Sequence, residues 1–125
     1  MEIKRRVLVV DDDPQVSSII RDILAGSDRY EIVLCRTGYE AVDHVKNGPF
    51  HCVLLDLCLP GINGFRTFDL MREIQPDLPV IFISAFSEEL RQQLEQKQLD
   101  GVRGCLGKPF RIDELKELVF STTLT

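Results

Sequence analysis

The chain has 125 residues, with 15 Lys and Arg against 20 Asp and Glu for a net charge of −5, and it is 44% hydrophobic and 28% charged. That balance excludes general disorder, and an acidic chain lacks the basic stripe that direct nucleic-acid binding needs. No apolar stretch approaches a membrane span, and the basic run Lys4-Arg5-Arg6 is followed by only four apolar residues, too few for a signal peptide.

The length suits one domain, 1–125, and the pattern reads as five strand–helix units in succession. The first strand covers about 5–10 and runs Val7-Leu8-Val9-Val10 into Asp11-Asp12-Asp13. Asp13 is placed to cap a helix whose first position is Pro14. Val16, Ile19, Ile20, Ile23 and Leu24 then give that helix an apolar face, and Gly26 ends it. Tyr30 to Cys35 is a second strand, followed by a helix over Gly38 to Lys46 with Ala41, Val42 and Val45 on one side. The third strand, Cys52-Val53-Leu54-Leu55, ends on Asp56. In the loop Leu59-Pro60-Gly61-Ile62-Asn63-Gly64, proline supplies a fixed φ and the two glycines a positive one. A third helix, about 65–74, offers Phe65, Phe68, Met71 and Ile74 for burial. The fourth strand, 79–84, ends on Ser84, and Ser87 caps a Gln- and Glu-rich helix over about 88–98. A weaker fifth run, Cys105-Leu106-Gly107, ends on Lys108-Pro109, and Ile112, Leu115, Leu118 and Val119 mark a final helix.

Alternating strands and helices predict an α/β fold, a parallel sheet covered on both faces. Five strands fit the flavodoxin-like (βα)5 three-layer sandwich of order 2-1-3-4-5, whose switch point sets the first and third strands side by side. Ligands of such sheets bind at the carboxyl ends of the strands, so Asp11, Asp12, Asp56, Ser84 and Lys108 converge on one edge. Clustered carboxylates demand a counter-cation, and an all-oxygen donor set favours Mg²⁺. The combination suits phosphoryl transfer, with Asp56 as the nucleophile, Asp11 and Asp12 as the metal pair, and Ser84 and Lys108 holding phosphoryl oxygens. The cysteines, Cys35, Cys52, Cys58 and Cys105, show no metal-ligand spacing and read as free thiols of a reducing compartment, the cytoplasm.

The stretches Val9-Val10-Asp11-Asp12-Asp13-Pro14, Leu54-Leu55-Asp56 through Gly64, Ile83-Ser84-Ala85 and Lys108-Pro109-Phe110 resemble the signature blocks of the receiver domain of two-component response regulators. The resemblance covers essentially the whole chain, and four blocks in order at domain-scale spacing are highly specific. It implies that Asp56 is the phosphoacceptor, served by a histidine kinase or histidine phosphotransfer protein. It further implies Mg²⁺ bound by Asp12 directly, by Asp11 mainly through water, by Asp56 and by the Cys58 backbone carbonyl. Ser84 matches the switch hydroxyl, Ala85 keeps the adjacent space open, and Lys108 pairs with phosphoryl oxygens beside a cis Lys108-Pro109 bond. Such a domain is a switch, not an enzyme on an external substrate; it catalyses only its own Mg²⁺-dependent phosphorylation and slow dephosphorylation. Its output is the face of the fourth helix, fifth strand and fifth helix, read by a downstream protein or domain or by a second copy in a homodimer. No output domain follows within 1–125. Cys105 departs from the pattern, standing where an aromatic switch residue is usual. Phe86 and Cys58 occupy positions that tune water access to the acyl phosphate, and bulky Phe86 is expected to slow its hydrolysis.

Three other readings compete. A phosphatase of the haloacid-dehalogenase kind would carry a second carboxylate where Cys58 stands. A flavodoxin-like electron carrier needs a hydroxyl-rich phosphate loop where Asp11-Asp12-Asp13 would repel the phosphate. A degenerate receiver, acting as a phosphorylation-independent interaction module, is the alternative that Cys105 raises.

Overall fold

The computed structural model describes residues 3–85, 88–97 and 101–124. Five strands, β1 (Arg5–Val10), β2 (Tyr30–Cys35), β3 (Cys52–Asp56), β4 (Val80–Ser84) and β5 (Val102–Gly107), form one parallel sheet in the order β2-β1-β3-β4-β5. They alternate with helices α1 (Pro14–Ala25), α2 (Gly38–Lys46), α3 (Gly64–Ile74), α4 (Glu88–Lys97) and α5 (Ile112–Thr122). This is the α/β architecture and strand order expected from the sequence.

The continuous apolar runs have a simple cause. Along β1, Val7 and Val9 enter one buried cluster with Ile20 and Leu24 of α1 and Leu115 and Val119 of α5, while Leu8 and Val10 enter another with Ala41 and Val45 of α2 and Phe68 and Met71 of α3. Successive side chains point to opposite faces, so a strand sandwiched between helix layers must be apolar at every position. Leu94 of α4 packs on the α2/α3 side.

Among the described residues, side chains start three helices. Asp13 accepts the Gln15 N–H at 2.9 Å with Pro14 at the first helical position, as expected. Thr37 and Asn63 do the same for Glu40 (3.1 Å) and Arg66 (2.9 Å). Several sequence expectations shift. Strand β5 begins at Val102, three residues before the apolar run that marked it. Ile19 is 53% exposed and Ile74 38%, because each lies on the rim of its helix's apolar face. Gly61 has the expected positive φ of 78°, but Gly64 does not and instead opens α3. The expected cap Ser87 lies outside the described residues. The four cysteines are free, and among the described residues no helix is long and apolar enough to cross a membrane.

Candidate functional site

The carboxyl edge of the sheet carries the site, and backbone pairing carried past the strand ends fixes it. The Asp11 N–H donates to the Cys35 carbonyl at 3.2 Å, Leu57 to Ile83 at 3.1 Å, and Lys108 to Ser84 at 2.7 Å. Asp11, Asp56 and Ser84 are thereby sunk into the edge, with exposures of 0%, 4% and 1%.

Lys108 joins the two buried acids. Its Nζ donates to Asp11 Oδ2 at 2.7 Å and to Asp56 Oδ2 at 3.1 Å. The remaining oxygens are also used: Asp11 Oδ1 accepts the Asp13 N–H and Asp56 Oδ1 the Cys58 N–H, each at 2.9 Å. Asp12 is exposed, and one oxygen from each of Asp11, Asp12 and Asp56 lies within 4.8 Å of the others. Three carboxylates against one ammonium leave two formal negative charges. Burial is the dominant influence on Asp11 and raises its pKa, although the Lys108 ammonium and the Asp13 N–H pull the other way. Burial disfavours the Lys108 charge too, but the hydrogen bonds to Asp11 and Asp56 and their charges outweigh it and raise its pKa. A cluster of hard oxygens with residual negative charge and one solvent-facing member fits a divalent cation such as Mg²⁺.

Sequence reasoning names Asp11, Asp12, Asp56, Ser84, Cys58 and Lys108, and the structure gathers all of them at this edge. The Lys108-Pro109 peptide bond is cis. Cys105 pairs with Phe82 in register and packs half-buried on the α2/α3 side, where burial raises its thiol pKa. Phe86 lies outside the described residues. Two features escape sequence reasoning. The Cys58 side chain reaches the Ser84 hydroxyl, with Sγ and Oγ 3.7 Å apart. Gly64 is chosen for closeness, since a Cβ there would sit 2.6 Å from both the Asp56 carbonyl oxygen and Leu57 Cα.

Fold and site together define a parallel α/β domain with an acidic pocket at the carboxyl edge of its sheet. Residues 7–120 match the family of the response regulator receiver domain, and the chain belongs to it. It is 36% identical over 89 residues to the regulatory protein VanRB of Enterococcus faecalis, covering 70% of this chain and 39% of that one. It is 32% identical over 113 residues to the sensor histidine kinase RcsC of Salmonella typhi, covering 89% of this chain but only 11% of that protein. Sporulation initiation phosphotransferase F of Bacillus subtilis matches at 30% identity over 114 residues, 91% of this chain and 90% of that one. Among solved structures, the response regulator TrrA of Thermotoga maritima in complex with Mg²⁺-BeF is 30% identical with a TM-score of 0.82, covering 94% of this chain and 98% of that one.

Proposed function

We propose that this receiver is a phosphorylation-gated switch in which Asp56 accepts a phosphoryl group from a histidine kinase or a histidine phosphotransfer protein. The observation that carries the reading is the Lys108 ammonium bonded at once to Asp11 and Asp56, beside the exposed Asp12. In the transfer, an Asp56 carboxylate oxygen forms a bond to phosphorus. The bond from phosphorus to the donor imidazole nitrogen breaks, and its electron pair leaves with the imidazole. Catalysis in such a step is largely positioning and charge neutralisation. Asp56 is held by the Cys58 N–H and Lys108, so little reorganisation remains for it. Lys108 is aimed at the oxygen where the new charge arrives, and Ser84 lies on the adjoining strand end.

Asp11, Asp12, Asp56 and the Cys58 backbone carbonyl are the ligands this reading assigns to Mg²⁺. When bound, Mg²⁺ supplies charge neutralisation for the phosphoryl oxygens. TrrA's complex with Mg²⁺-BeF supports the assignment by kinship. The chain acts on itself, with slow self-dephosphorylation, and on no external substrate. Its α4-β5-α5 face presents the change to a downstream protein or domain or to a second copy, in the cytoplasm.

The test is incubation with acetyl phosphate and Mg²⁺ followed by intact mass. Wild type is expected to gain one phosphoryl group, and Asp56→Asn none. Absence of labelling in wild type, or its persistence in Asp56→Asn, would overturn the assignment.

A further inference from the structure

We infer that the Cys58 side chain is a positioning residue for the Ser84 hydroxyl, holding it on the loop after β3 until a phosphoryl group competes for it. The inference rests on the phosphoacceptor reading of Asp56 and adds to it a role in the resting state for the Cys58 side chain, beside the backbone groups that reading uses. Ser84 is 1% exposed, and among the described residues the partner of its hydroxyl is the Cys58 thiol, at 3.7 Å. Among those residues, neither Asp56 nor Lys108 shares a hydrogen bond with that hydroxyl.

A buried hydroxyl stripped of its partner is costly, so the contact matters despite the weakness of sulfur as a donor or acceptor. A phosphoryl oxygen is an anionic acceptor and makes a much stronger bond with the same hydroxyl. The thiol is thus strong enough to park Ser84 and weak enough to release it. Cys58 itself is exposed, so altering its side chain opens no cavity. Its N–H, which holds Asp56 Oδ1, and its carbonyl are present whatever the side chain.

Beryllofluoride with Mg²⁺ is the probe, titrated calorimetrically into wild type, Cys58→Ala, Ser84→Ala and the double variant. Removing the thiol destabilises only the resting position of the hydroxyl. Cys58→Ala is therefore expected to bind beryllofluoride about two- to fivefold more tightly, the worth of one weak hydrogen bond. In the Ser84→Ala background the same substitution is expected to change nothing, since the hydroxyl it acts through is gone. A Cys58→Ala affinity equal to or weaker than wild type overturns the inference, as does a tightening that persists without the Ser84 hydroxyl. If wild type binds no beryllofluoride, or Asp56→Asn binds it equally well, the phosphoacceptor reading itself falls and takes this inference with it.

Discussion

The His51 imidazole accepts the Arg6 N–H at Nδ1, and the His51 N–H donates to the Arg6 carbonyl, both at 2.9 Å. A side chain thus adds a rung to the pairing of β1 with β3 at the edge opposite the acidic site. Burial first, and the Arg5 and Arg6 charges second, hold this histidine below the usual imidazole pKa. With the folded-state value depressed, the unfolded chain takes up the proton first as pH falls. The stabilisation is complete above the unfolded pKa of about 6.5 and drains away as pH drops through the lowered value. Protonation of the ring also removes the acceptor at Nδ1 that the Arg6 N–H uses. Urea unfolding of wild type and His51→Ala from about pH 8 to about pH 5 is expected to show the wild-type advantage shrinking with acidity. An advantage independent of pH would contradict a neutral, accepting imidazole.

At the scale of elements, α3 starts where it does because Gly64 lets it rest on the end of β3. The Gly64 N–H donates to the Leu57 carbonyl at 3.1 Å, and the space for a side chain is filled by backbone of residues 56 and 57. Alanine is ordinarily the better helix residue by about 1 kcal/mol. Gly64→Ala is nevertheless expected to lose about 1–3 kcal/mol in urea unfolding, because overpacking against backbone dominates. Labelling by acetyl phosphate should slow in parallel as Asp56 is displaced. A gain in stability would refute the close-approach account. This glycine also marks the boundary of what sequence can say. Its place in a turn-rich loop is legible, but its reason is not, because that depends on the distance between a helix and a strand end.

Strand β5 is a similar case. Its true start, Val102-Arg103-Gly104, is diluted by an exposed arginine and by a glycine lying under Leu118, as suits an edge strand. Strands β1, β3 and β4 are buried on both faces and were plain from composition. The kinds of residue at the site were equally plain, since each closes a strand. Their bonds were not. Lys108 spanning Asp11 and Asp56, and Cys58 touching Ser84, depend on side-chain reach across 97, 52 and 26 positions.

Over the whole molecule, the sheet divides the core into two apolar layers, and one aromatic group anchors the layer beneath α2 and α3. Phe82 of β4 stands against Phe65 at 5.8 Å in an edge-to-face contact and against Phe68 at 5.6 Å. It is 1% exposed, whereas Phe120 on α5 is 41% exposed with the Arg29 guanidinium over its ring at 4.5 Å. Phe82→Ala is expected to cost about 3–5 kcal/mol in urea unfolding. Phe120→Ala is expected to cost about 1 kcal/mol, mostly the cation–ring contact. Comparable losses would mean that the second layer reaches further toward α5 than burial indicates.

The two hydrogen bonds of Lys108 have a consequence for how the fold assembles as well as for the site. They join residues 97 and 52 positions apart, so the cluster closes only once β5 is in place. Until β5 aligns beside β4, neither acid has the ammonium that bridges them. A chain cut before β5 therefore presents both acids without their bridging cation. The acidic edge is in this way completed by β5, which follows the other four strands in the chain and sits at the rim of the sheet.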